Sequence, residues 1–368
     1  MILLTEPRPV EHGSQFTATV IAAVWTEGTG WSALRRLPLA DLPMHPGMIG
    51  LHYGQVIFEG LKAHRRTDGS IAAFRPIENA HRFQRSARRL AMPELPVDMF
   101  MHAVEELMAA DGHWLPDDPN LSLYLRPLMY GSEANLMLRP SREYRFLLMA
   151  FVVGGFFGDP VSSITVWVSH DFSRAIPGGT GDVKCAANYA GAFLAQGQAE
   201  AFGCQQVVWL DPVERRWVEE LSGMNLFFVR GKEIITPPLS GSILPGVTRT
   251  SLLVLADRLG YPAREERVSL EQWRSECAQS VITETFACGT AAVITPVGAV
   301  RDPGGDWSIG GGTPGPVTVR LRRELVDLHH GIAPDPDGWM HPCPVSPDNP
   351  QLPSGQRDPR GAPAGWHG

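Results

Sequence analysis

Short apolar runs rich in β-branched and aromatic residues alternate along this chain with longer runs of helical period. Phe16 to Thr26 (FTATVIAAVWT), Ile71 to Phe74 after a Gly-Ser turn, Leu121 to Tyr130, the run from Phe146, Cys204 to Leu210 and Trp217 to Leu221 are bounded by Gly, Pro or Asp and predict strands. A helix is expected to open on Asn79 as N-cap and carry Arg82 in its first turn, with Arg85, Arg88 and Arg89 on a solvated face. Further helical periods cover Met99 to Met108, Ala190 to Phe202, Thr248 to Leu259 and Arg320 to His330. The pattern breaks at Gly154-Gly-Phe-Phe-Gly-Asp-Pro. These breaks predict a first domain over 1–153, a linker over 154–162, a larger domain over 163–332, and a Pro/Gly-rich tail over 333–368 that is disordered or loosely wrapped.

Composition narrows the class. The 368 residues suit about two domains. A net charge of -7 offers no basic footprint for nucleic acid, and no Lys/Arg block faces a lipid surface. The longest apolar run, Phe146 to Gly158, is interrupted by glycines and too short to span a bilayer. The five cysteines, 185, 204, 277, 288 and 343, form no C-x-x-C, which argues against a disulfide scaffold or a metal site and for a reducing, cytoplasmic setting.

The candidate chemistry centres on Gly178-Gly-Thr-Gly-Asp-Val-Lys184-Cys-Ala-Ala-Asn-Tyr189. Glycines permit left-handed backbone and close approach, and the small residues leave room beside the lysine for a flat group. Lys184 could grip a phosphate, act as a Schiff-base amine, or be an ordinary surface lysine. The phosphate-loop signature needs Gly before Lys and Ser or Thr after it; Val183 and Cys185 stand there instead. Leu244-Pro-Gly-Val-Thr248 runs straight into a helix, a ready anion site. Arg126 sits among apolar residues, either paired structurally or waiting for a carboxylate. An amine, an anion-binding helix start with an arginine, the carboxylate of Glu220 and the phenol of Tyr189 are the groups a pyridoxal phosphate enzyme needs.

Seven segments, in order, resemble those of branched-chain amino acid aminotransferases of the fold-type IV pyridoxal phosphate group. They are His52-Tyr53-x4-Phe58-Glu-Gly-Leu-Lys, Asn79-x2-Arg82-x3-Ser86-Ala, Tyr124-x-Arg126-Pro, Gly178 to Tyr189, Glu220-x3-Met224-Asn-Leu-Phe, Leu244 to Arg249 and Gly289-Thr290-Ala291. The resemblance spans roughly 14–332 and implies an α/β (α+β) chain, with a smaller α/β domain beside a larger domain built on a β-barrel-like core.

The same resemblance implies the roles. Lys184 would carry the cofactor as a Schiff base and shuttle the substrate proton. Tyr189 would hydrogen-bond the ring phenolate and Glu220 would pair with the ring nitrogen. Arg82, Val247, Thr248 and Thr290 would hold the phosphate. Ala291, Ala292 and the Tyr53 hydroxyl would receive the α-carboxylate region, and Phe16, Tyr53, Phe58 and Phe156 would line the side-chain pocket. Arg126, with Tyr124 beside it, would receive the second carboxylate of glutamate. A homodimer is implied, with the Leu136–Leu138 loop closing over the partner's site. The partners would be amino acids and 2-oxo acids, with no metal. Phe156, Gly223 and Cys288 depart from residues frequent in the family and bear on side-chain preference. D-amino acid aminotransferases and aminodeoxychorismate lyases share the lysine and the phosphate cup. A non-catalytic relative would be expected to lose Lys184 or Glu220, and both are present.

Overall fold

The computed structural model describes residue 13 and residues 16–40, 42–154 and 161–344. Its first sheet holds β1 (Thr19–Thr26), β2 (Gly30–Trp31), β3 (Arg35–Pro38), β4 (Val56–Phe58), β5 (Leu61–Arg65), β6 (Ile71–Phe74), β7 (Ser122–Gly131) and β8 (Glu143–Val153). The last described stretch adds β18 (Met340–Cys343), and the order is β18-β6-β5-β7-β8-β1-β2, with β3 on β1 and β4 on β7. All these pairings are antiparallel, so the layer is of the α+β kind. Preceded by the short α1 (Ile49–Tyr53), helices α2 (Pro76–Arg89) and α3 (Val97–Asp111) join it in one core, where Phe83, Phe100 and Phe146 meet in tilted and edge-on pairs.

The second half closes on itself. Strands β9 (Ile164–Ser169), β10 (Gln206–Leu210), β11 (Val218–Leu221), β12 (Met224–Arg230), β15 (Ile282–Gly289) and β16 (Val293–Arg301) form a ring, because β11 pairs with β12 as well as with β10. This six-strand barrel carries β13 (Glu233–Thr236), β14 (Ala263–Glu265) and β17 (Trp307–Ser308) on its edges. Side chains along β12 alternate between two cores, as strand geometry demands. Leu226 and Phe228 join Trp273 of α7 (Leu270–Ala278), while Phe227 and Val229 join α6 (Val247–Arg258) and α8 (Pro316–His330). No described helix is long and apolar enough to cross a membrane.

Three local readings are corrected. The second helix begins at Pro76, which suits a first helical position because it lacks the N–H that would go unbonded there. Asn79 is therefore a buried helical residue rather than a cap, and Arg82 lies beyond the first turn. The span from Ala190 divides into α4 (Ala187–Ala190) and α5 (Phe193–Ala201). The chain after 332 is not all loosely wrapped: Trp339, Met340 and Cys343 are buried, and β18 pairs with β6. As an edge strand, β18 tolerates Pro342, which has no N–H to donate.

Candidate functional site

A cavity of about 260 Å3 lies between the sheet and the barrel. Phe58 ends β4, Arg82 comes from α2, and Tyr124 and Arg126 come from β7. The far wall is made by Lys184, Tyr189, Met224, Asn225, the start of α6 at Gly246 to Thr248, and the turn Gly289 to Ala292.

Lys184 reaches this cavity because its segment leaves the barrel half and docks on β4. The Phe58 N–H donates to the Lys184 carbonyl (3.1 Å), and the Ala186 N–H donates to the Val56 carbonyl (3.1 Å). The Ser86 hydroxyl accepts from the Lys184 N–H at 3.0 Å. Upstream, Gly178 has φ +76°, and a Cβ at Gly181 would come within 2.4 Å of the Ser242 carbonyl oxygen, so both positions need glycine. The Asn188 amide donates to the carbonyls of Thr180 (2.6 Å) and Val183 (2.9 Å), tying the loop across its base. Arg89, exposed as expected, donates to the carbonyls of Gly178 and Gly179, each at 3.0 Å. The Lys184 Nζ then points at the Tyr189 hydroxyl (2.8 Å) and lies 4.9 Å from the centre of the Phe58 ring.

Glu220 is buried at the end of β11, beside the hairpin that places Ser222 at φ 46°. Burial pushes its carboxyl up to about 7, against the pull of the neighbouring Arg174. Arg174 Nε pairs with it at 3.0 Å, Asn225 donates at 3.3 Å, and the Leu244 N–H donates as well. No motif or spacing along the chain points to Arg174.

Arg82 is held by Glu59. Its Nε and a terminal nitrogen donate to the two carboxylate oxygens at 2.6 and 2.8 Å, and its other terminal nitrogen donates to the Pro245 carbonyl at 3.2 Å. Asn79 adds a bond to Glu59 at 2.8 Å. Burial would raise the Glu59 carboxyl, but Arg82 outweighs it and holds the group below its ordinary value. This fork-to-fork pair points the guanidinium toward the start of α6, where Val247 and Thr248 are buried. Thr290 donates to the Gly60 carbonyl at 3.1 Å. Just past the Ala291-Ala292 turn, Val293 has φ 60°, a costly conformation for a β-branched residue, and it sits beside the cavity.

Arg126 stacks between two rings, 5.1 Å from Phe58 and 5.2 Å from Tyr124, with its buried Nε lacking a hydrogen-bond partner. Tyr124 approaches the backbone so closely that a Cβ at Gly60 would fall 1.8 Å from its hydroxyl oxygen. Other expected pocket residues are placed differently. Tyr53 lies outside the cavity at the exposed end of α1, its hydroxyl donating to the Leu136 carbonyl at 2.7 Å. Gly54, in the left-handed conformation, turns the chain there, so Tyr53 and Phe58 face different ways. Phe16 is also outside the lining and half exposed; it packs edge-on against Phe151, which stacks on Tyr124. Phe156 lies outside the described residues. A Cβ at Gly223 would meet Tyr189 at an ordinary 3.8 Å, so no close approach demands glycine there. Cys288 lines the cavity, and burial drives its thiol pKa well up, leaving it protonated and unreactive.

The donor set fits pyridoxal phosphate: an amine beside a phenol, an arginine facing a helix start, and a buried carboxylate, Glu220, which lines the adjoining pocket that shares Tyr189 and Leu244 with this cavity. Comparison with known proteins agrees. The family model described as amino-transferase class IV matches residues 56–300. A probable branched-chain-amino-acid aminotransferase of Streptomyces coelicolor is 53% identical over 89% of this chain and 91% of its own length. The crystal structure of the Escherichia coli branched-chain amino acid aminotransferase is 29% identical, covers 87% of this chain and 98% of its own, and superposes with a TM-score of 0.71. The branched-chain aminotransferase of the thermophilic archaeon Thermoproteus uzoniensis, solved with norvaline, is 25% identical over 88% of this chain and 99% of its own, with a TM-score of 0.72. With the geometry of the cavity and a family match across most of its length, the chain belongs to the class IV aminotransferase family.

Proposed function

We propose that this protein exchanges the amino group between branched-chain L-amino acids (leucine, isoleucine, valine) and 2-oxoglutarate, giving branched-chain 2-oxo acids and L-glutamate. The observation that carries the reading is Arg126 stacked between Phe58 and Tyr124: one apolar wall with a carboxylate receptor set into it. Leucine needs the apolar wall and glutamate needs the guanidinium, whose planar fork matches a carboxylate.

Pyridoxal phosphate, when bound, supplies an aldehyde that captures the substrate amine and a ring that takes up the electrons of the Cα–H bond. Lys184 would hold it through Nζ and, once displaced by substrate, carry the Cα proton. The Tyr189 hydroxyl, which accepts from that nitrogen at 2.8 Å, orients it and would donate to the ring oxygen. Glu220 would pair with the ring nitrogen and keep it protonated, and a positive charge there would in turn favour the carboxylate form. Arg82, the N–H groups of Val247 and Thr248, and the hydroxyls of Thr248 and Thr290 would take the phosphate. Ala291 and Ala292 would receive the α-carboxylate.

Tyr53 and the neighbouring loop would serve a second copy of the chain. Leu136, Met137 and Leu138 are 52, 61 and 88% exposed, an apolar loop next to a half-exposed tyrosine that a homodimer would cover. A cytoplasmic location is in keeping with five free cysteines.

The test is an assay with glutamate and 4-methyl-2-oxopentanoate. Leucine formation is expected. Its absence, or release of pyruvate from aminodeoxychorismate instead, would overturn the reading. Sedimentation is expected to give a dimer; a monomer with full activity would remove Tyr53 and the loop from the site.

A further inference from the structure

Two buried histidines take no part in the proposed reaction. His64 lies on β5 and His329 on α8, each 5% exposed, and their rings stack with centres 4.4 Å apart and planes 13° from parallel. Phe74 packs edge-on against His329 at 4.7 Å and His330 edge-on against His64 at 5.5 Å, which holds both rings in place. A ring nitrogen bonds in the plane of its ring, so stacked imidazoles cannot satisfy one another. Among the described residues neither buried Nε2 has a hydrogen-bond partner. Nearby polar groups are already committed. The His330 Nδ1 meets the Arg65 carbonyl, the Lys62 Nζ donates to the Ala291 carbonyl, and the Asn79 amide donates to Glu59, each at 2.8 Å.

Both imidazoles line a cavity of about 20 Å3 beside the large one. The two cavities share Val247, Thr248, Gly289 and Thr290, which form the wall between them. Such a volume suits a single water, which needs about 10–15 Å3 and two to four polar partners. Burial pulls His329 down to about 3 and His64 well below its ordinary value, so both rings are neutral. Each neutral ring has one N–H and one lone pair, and one water can accept from one Nε2 while it donates to the other. Its second proton is free for the wall. There the Thr290 hydroxyl gives its own proton to the Gly60 carbonyl at 3.1 Å and can still accept. A buried imidazole nitrogen left unbonded is costly, which favours this arrangement over a dry cavity.

Resting on the reading of this wall as the phosphate cup, we propose that the small cavity binds one ordered water bridging the Nε2 atoms of His64 and His329 to the Thr248–Thr290 wall, and that the two histidines are positioning residues for the cofactor phosphate. They would touch neither cofactor nor substrate. The water braces the back of the wall, so that the hydroxyls on its front meet the phosphate in one arrangement.

The experiment has two arms, both on the full chain. Oxygen-17 relaxation dispersion of the solvent counts long-lived internal waters in the pyridoxal phosphate-loaded protein. Spectral titration of cofactor-free protein compares pyridoxal phosphate with pyridoxal, which lacks the phosphate. His64→Phe/His329→Phe keeps two stacked rings and removes the ring nitrogens. It is expected to lose one water and to bind pyridoxal phosphate about tenfold more weakly, the worth of about one hydrogen bond. Pyridoxal should bind within about twofold of wild type. His329→Gln keeps an amide that can donate or accept, and should retain the water and bind pyridoxal phosphate within about threefold of wild type. An unchanged water count in the double variant overturns the proposal. So does unchanged affinity for pyridoxal phosphate, or equal weakening towards both ligands, which would mark the pair as merely structural. If the double variant does not fold, the wild type decides: its crystal structure must show a water within hydrogen-bond distance of both Nε2 atoms, and a dry cavity overturns the proposal. Wild type that binds pyridoxal as tightly as pyridoxal phosphate would overturn the phosphate cup itself, and the water count tells that failure from this one.

Discussion

At one end of the cavity, where α2, α6 and the 178–189 loop meet, the charged groups are paired within the chain: Arg82 with Glu59, and Glu220 with Arg174. At the other end, Arg126 has two rings beside it and an unpartnered Nε, while Tyr53 and the Leu136–Leu138 loop lie outside the cavity and exposed. The proposed function accounts for the difference. A resident cofactor would be the same in both half-reactions, so its cup could be pre-assembled from buried pairs. The substrate would change between an apolar and an acidic side chain, so that end would have to hold a receptor whose hydrogen bonds are not already spent.

If this contrast is right, substitutions at the two ends should fail differently. The largest effect is expected for Lys184→Ala: transamination falls by several orders of magnitude and the absorbance of the lysine-linked cofactor disappears. Turnover near the wild-type rate would remove the lysine from its role. Next comes Glu59→Gln, which leaves Arg82 buried with an uncharged partner. Breaking such a pair costs about 3 kcal/mol, to be read in urea unfolding, and cofactor affinity should drop at least about tenfold in a spectral titration. Unchanged values would mean that the Pro245 carbonyl and the helix alone hold Arg82. Arg126→Met should lower kcat/KM for glutamate and 2-oxoglutarate by roughly 10- to 100-fold, the worth of hydrogen bonds to a charged group. Leucine should change by less than about threefold. Equal losses on both substrates would make this arginine structural. The smallest effect belongs to Arg89→Ala at the rim, where two exposed bonds to the glycine loop are lost: a fall of a few-fold in kcat is expected. A loss as deep as that of Lys184→Ala would show that the loop depends on this clamp.

The fold was legible where local pattern decides it. Strands such as Ser122–Gly131 and helices such as Val97–Asp111 bury residues with the period of their element, and that period is visible along the chain. Lys184 was legible as a candidate because a glycine-rich segment presents it, and Glu220 because its segment carries the resemblance. What stayed hidden depends on pairing at a distance. Glu59 meets Arg82 from 23 positions away, and Arg174 meets Glu220 from the loop after β9; no local rule links either pair. Asn79 has the chemistry of a good cap, yet Pro76 sets the helix start and tertiary contact claims its amide for Glu59. The four residues of β18 carry too little apolar pattern to announce a strand, and they fold because β6 offers an open edge. The resemblance places Tyr53 in a substrate pocket; it lies outside this chain's own cavity, where Gly54 turns the backbone, and the proposal assigns it to the site of a second copy.

Whether the cofactor attaches at the Lys184 amine is decided by loading the protein with pyridoxal phosphate, reducing with borohydride, digesting, and locating the pyridoxyl group by mass spectrometry. One label is expected, on Lys184, and it should be lost when leucine converts the bound cofactor to its amine form before reduction. A label on Lys62 or on surface lysines, or no label at all, would contradict the assignment.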